Sequence, residues 1–140
     1  MPLTLDEQQV ARLLGGVKRM IRIPQHREDD NLNDLPSFIR DLESFQRQVG
    51  FWEVKIEECT GHGYLAFEEL TSETAELSPK AFETMCLCIN QTIDGIFSGI
   101  INGKNVVSLV AVDSSFWEIT SSIEFEEFMV NKYGLYNISA

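Results

Sequence analysis

Two dipeptides constrain this chain more than anything else in it. Asp94-Gly95 stands between Ile93 and Ile96, and Asn102-Gly103 stands between Ile101 and Lys104. Each is a two-residue hairpin signal, because Asp, Asn and Gly tolerate the positive φ that a type I′ turn requires. After the second comes VVSLVAV, residues 106–112, apolar on both faces. Such a run predicts a central strand covered by helices on at least one side. Strand, Asp-Gly, strand, Asn-Gly, strand reads as an antiparallel meander, and FWEIT (116–120) extends or resumes it.

Around this meander the hydrophobic period changes twice. Thr4 and Glu7 form a capping box ahead of Leu5, Val10, Leu13, Leu14 and Val17, which predicts a first helix weakened by Gly15-Gly16. Residues 24–34 read as a polar loop. Asp34 caps a second helix opened by Pro36, with Leu35, Phe38, Ile39, Leu42, Phe45 and Val49 on one face and Gly50 as its stop. From Phe51 the pattern alternates, with Trp52, Val54 and Ile56 on one side and Glu53, Lys55 and Glu57 on the other. CTGHG then reads as a turn and YLAFEEL as the returning strand. Ser78-Pro79 predicts a short turn of helix, followed by a strand from about Glu83. Ser121 and Glu124 form another capping box, and Phe125, Phe128, Met129 and Tyr133 mark a closing helix that Gly134 ends. The predicted fold is α+β, one domain over residues 1–140: an antiparallel sheet of about five or six strands, with two N-terminal helices and one C-terminal helix packed on it.

At 140 residues the chain buries enough surface to fold without disulfides or a metal. Cys59, Cys86 and Cys88 are an odd number, which argues against a secreted disulfide framework and for reduced, mostly buried thiols. No apolar run reaches the roughly 18 residues of a membrane span, and MPLTLDEQQV has acids where a signal peptide needs basic residues. The expected location is the cytoplasm.

Charge is the most informative bulk property. Eleven basic residues face 22 acidic ones, for a net charge of −11. Residues 1–50 hold seven basic and eight acidic residues; residues 51–140 hold four basic and 14 acidic. Phosphate contacts from Lys and Arg dominate nucleic-acid affinity, so that partner is not expected, and anionic lipid is disfavoured in the same way. An acidic surface attracts a basic protein and speeds the encounter.

Residues for chemistry are sparse. The histidines are His26, in a charged loop, and His62, between two glycines. Asp113-Ser114-Ser115 lacks the glycines of a nucleophile elbow, and no phosphate-binding glycine pattern is present. Cys59-x-x-His62 and Cys86-x-Cys88 could supply four zinc ligands, but the one-residue spacer is short for a structural zinc site. The sequence therefore predicts no catalytic residue, no metal and no cofactor. The reading that remains is an acidic protein-binding module, an immunity or inhibitor protein that covers the active site of a basic partner such as a toxin nuclease. Glu53, Glu57, Glu68, Asp113 and Glu118 are the expected contacts, with Trp117 or Trp52 as the aromatic anchor. A secretion chaperone or adaptor for an effector protein is the second reading, and a small enzyme or ligand-binding domain the third. Either a monomer or a homodimer fits.

Overall fold

The computed structural model describes residues 20–27, 29, 31–45 and 48–136. The helix expected from Thr4 to Val17 lies outside them. The elements are β1 (Ile21–Pro24), α1 (Leu35–Ser44), β2 (Phe51–Gly61), α2 (Tyr64–Leu70), β3 (Ala75–Leu77), α3 (Pro79–Cys88), β4 (Ile89–Ile101), β5 (Lys104–Val112), β6 (Phe116–Thr120) and α4 (Ile123–Tyr133). The strands form one antiparallel sheet of six in the order β1-β6-β5-β4-β2-β3. The fold is α+β, as predicted, with α2, and α3 from about Glu83 onward, where the sequence reading placed strand.

Helix α1 begins where expected. The Asp34 side chain accepts from Ser37 N, and Pro36 follows at the start of the first turn. It ends at Ser44, however, not at Gly50, whose N–H instead donates to Ile100 O at 2.7 Å. Helix α4 is capped by Ser122, which accepts from Phe125 N, while the Glu126 carboxylate accepts from Ser121 N. The expected box is present in function but its acid is Glu126, not Glu124. Gly134 closes the helix with φ 83°.

Three expectations fail for identifiable reasons. Asp94-Gly95 is no turn: β4 runs straight through it, pairing Gly95 with Ile56 on one side and Ala111 on the other. Gly95 is there for space. A Cβ on it would lie 3.0 Å from Thr92 Cγ2 and 3.2 Å from both Lys55 O and Phe97 Cε2, beside a β2 register shift. Asp94 serves a different turn. Its Oδ1 accepts from Asp113 N at 2.7 Å, bracing the β5–β6 connection, where Asp113 and Ser114 hold φ of 48° and 54°. The strand expected from Glu83 is helix as far as Cys88. Phe82, Met85 and Cys86 share the buried face, and Leu87, 70% exposed, breaks the apparent alternation. YLAFEEL is α2, not a return strand. The partners of β2 are β4 and β3, and α2 lies along β2 beyond the end of β3.

All buried strand residues point to one side. Ile23, Trp117, Ile119, Leu109, Phe97, Val54 and Ile56 meet the helices there. Phe82 of α3 stacks on Trp52 at 4.2 Å, and Phe38 of α1 meets Trp117 edge-on at 5.1 Å. Such pairs add about 0.5–1.5 kcal/mol beyond area burial. No described helix is long and apolar enough to cross a membrane.

Candidate protein-interaction site

Strand alternation sorts the predicted contact residues onto two sides of the sheet. Trp52 and Trp117 fall on the helix side. Trp117 is 1% exposed and its Nε1 donates to Asn33 O at 3.0 Å; Trp52 is 4% exposed. Neither indole reaches the surface, so the aromatic anchor expected at Trp117 or Trp52 is corrected: both are core residues, held under α1 and α3.

Glu53, Glu57 and Glu118 fall on the opposite side of the sheet. Glu118 accepts from Arg22 Nε at 3.1 Å, and Glu57 lies 3.3 Å from Lys55 Nζ. Glu53 stands directly across the strand pair from Glu76. Glu68 is elsewhere. It projects from α2 to the edge of β2, where its Oε2 accepts from Cys59 N at 3.3 Å. Nearby, Thr71 Oγ1 accepts from Ile56 N at 3.0 Å. These two side chains satisfy edge amides that would otherwise invite another strand. Asp113 sits in the exposed β5–β6 turn at one end of the sheet. Three of the five predicted acids thus share a face, one protects an edge and one builds a turn.

The shared face carries residues that sequence reasoning did not select. Cross-strand register builds a row running Arg22, Glu118, Val110, Ile96, Lys55 from β1 through β6, β5 and β4 to β2. A parallel row runs Thr120, Ser108, Ser98, Glu53, Glu76. Charge thus lies at the ends, with apolar and hydroxyl side chains in the middle. Among the described residues Ile96, 46% exposed, is the one large apolar strand side chain left open to solvent. Its signal was in the sequence: residues 106–112 are apolar on both faces, yet among the described residues helices cover only one of them.

The remaining polar features are interior. Gln25 and Asn33, both buried, tie the β1–α1 loop to the sheet: Gln25 Nε2 donates to Thr92 O of β4 at 2.9 Å, and Asn33 Nδ2 to Pro24 O of β1 at 2.7 Å. Between α1 and α4, Asp41 accepts from Lys132 Nζ at 2.6 Å and Tyr133 Oη at 2.5 Å. Burial, reinforced by Asp41, pushes the Tyr133 phenol far above its ordinary range. Burial and then the Glu68 carboxylate push the Cys59 thiol up to about 11. Burial raises Cys86 further still, so both thiols stay protonated at neutral pH. His62 N donates to Cys88 O at 3.0 Å, which brings the β2 end against the α3 end, but no group of three or more metal-ligating side chains gathers among the described residues.

Comparison with protein-family models, curated proteins and solved structures found no match to this chain.

Proposed function

We propose that this chain is a protein-binding module that meets a basic protein, of the immunity or inhibitor type that occupies a partner's active site, in the cytoplasm. The observation that supports it is charge. Residues 51–140 carry 14 acidic against four basic side chains. Two of those four are already engaged, Lys55 with Glu57 and Lys132 with Asp41. What solvent meets around β2 to α4 is therefore predominantly negative, which steers cationic partners and repels nucleic acid. The partner class rests on that charge; a nuclease toxin is the partner for which such a surface has the clearest use.

The test is affinity capture on the purified chain from its native host, followed by titration of the recovered protein. A partner of basic pI with nanomolar affinity, whose association slows steeply between low and physiological salt, supports the reading. Its activity should fall when the chain is added at equimolar amount. Capture of only acidic or neutral proteins sinks it. A secretion-chaperone reading is favoured by one observation, the solvent-open Ile96 on the sheet face opposite the helices. Light scattering that shows an obligate dimer would move the assignment to that class.

A further inference from the structure

We propose that the surface which meets the partner is the unclad face of β2, β4 and β5, centred on Ile96, and that Glu53 and Glu76 together receive a lysine or arginine of that partner. This rests on the reading above that the partner is basic.

Among the described residues the face is open for a topological reason. The aromatic side chains that anchor the helices, Phe38 and Phe82, pack on Trp117, Trp52 and Phe97, all on the other side. At the β1–β6 corner the chain covers itself. Tyr136 donates its N–H to Arg22 O at 2.9 Å and stacks on Phe116 at 4.8 Å. Beyond that corner the middle strands present Val110 and Ile96 side by side in register, with Ser108 and Ser98 in the next row. An exposed isoleucine in an interior strand leaves apolar area in water that a partner would remove.

Charge then selects the occupant. On this face Arg22 is taken by Glu118 and Lys55 by Glu57. Glu53 and Glu76 are left directly opposite each other, and neither side chain makes a hydrogen bond or ion pair among the described residues. Like charges facing across a strand pair oppose the pairing they sit on. A cationic side chain placed between them turns that repulsion into two attractions, beside the apolar patch at Ile96. A second copy of this chain is the poorer occupant, because each copy carries −11 and self-association would bring those charges together.

The experiment places a photo-crosslinking amino acid at position 96, and separately at position 87 on the exposed outer side of α3, in the chain expressed in its native host. The adducts are identified by mass spectrometry. The expected result is an adduct at 96 with a protein of basic pI and none at 87. Glu53→Lys combined with Glu76→Lys should reduce that adduct at least tenfold. This double change keeps a like-charge pair and only reverses its sign, so melting should move little, and a purely structural role for the two acids predicts no loss of adduct. Glu76→Gln, a milder change, should reduce the yield several-fold. A basic partner captured at 87, or equally at both positions, overturns the face assignment and leaves the basic-partner reading standing. An adduct of the chain with itself makes this face a homodimer interface and overturns the proposal. No adduct at 96 also overturns it.

Discussion

At the scale of single residues, the molecule places charge where it costs stability and where it supplies it. Glu53 opposite Glu76 is the first case. Glu76→Gln should raise folding stability by about 0.2–1 kcal/mol, read from the urea midpoint at unchanged slope. A loss of stability would mean that a cation already bridges the pair. Asp41 is the second case. It is buried between two helices with Lys132 and Tyr133 as its donors. Asp41→Ala leaves a half-buried phenol without its acceptor and should cost about 1–3 kcal/mol, whereas Lys132→Ala, on a half-exposed side chain, should cost under about 1 kcal/mol. The same site dictates a pH dependence. The Tyr133 pKa is raised on folding from an ordinary value of 10.0, so its contribution is fully present below about pH 10. As pH rises further, the unfolded phenol ionises while the folded one stays protonated, and stability falls. Denaturation of wild type and Tyr133→Phe at several pH values should show the wild-type advantage shrinking above pH 10. A constant difference from pH 8 to pH 11 would contradict this.

At the scale of elements, glycine and threonine do work that residue type alone does not announce. Gly95 and Gly103 both follow residues that favour turns, but only Gly103 sits in one, at φ 74°. Gly103→Ala should cost on the order of 1 kcal/mol through backbone strain alone, since nothing lies near its Cβ position. Gly95→Ala should cost about 1–3 kcal/mol by crowding the Lys55 carbonyl and the Phe97 ring. Adding Phe97→Leu to it should recover part of that loss, and a strain mechanism predicts no such rescue. Helix α2 is an edge guard. It has no fully buried residue, and its short length gives little propensity to hold it. Yet Thr71 and Glu68 satisfy two amides of β2. Thr71→Val should cost about 1–3 kcal/mol, and hydrogen exchange should accelerate first at the Ile56 amide. The alternation in YLAFEEL and in residues 83–90 misled the sequence reading because short apolar runs fit both periods. What decided them was which residues reached the core: Phe82, Met85 and Cys86 at helical spacing, and Phe67 from α2.

At the scale of the whole molecule, net charge and an open sheet face act against each other. Near neutral pH, −11 keeps copies apart although Ile96 is exposed on the sheet face. Towards the sequence pI of about 4.5 that repulsion disappears, and the apolar face becomes available for self-association. Light scattering should therefore show a monomer at pH 7 and growing association as pH approaches 4.5. Ile96→Asp should reduce the association. If it leaves the onset unchanged, another surface is responsible.

The sequence by itself determined the class, the Asp34-capped helix, the Asn-Gly hairpin, the closing helix and the sign of the surface. Each of these depends on neighbours a few residues apart, or on a sum over all residues. Only the tertiary structure decided that both tryptophans lie inside, that Asp94-Gly95 is strand, and which acids share a face. Those outcomes depend on which face of a strand the helices come to cover and on which strands become neighbours. Alternation fixes two sides of a strand and leaves open which side is buried, and that choice is made by helices that pack on it from other parts of the chain.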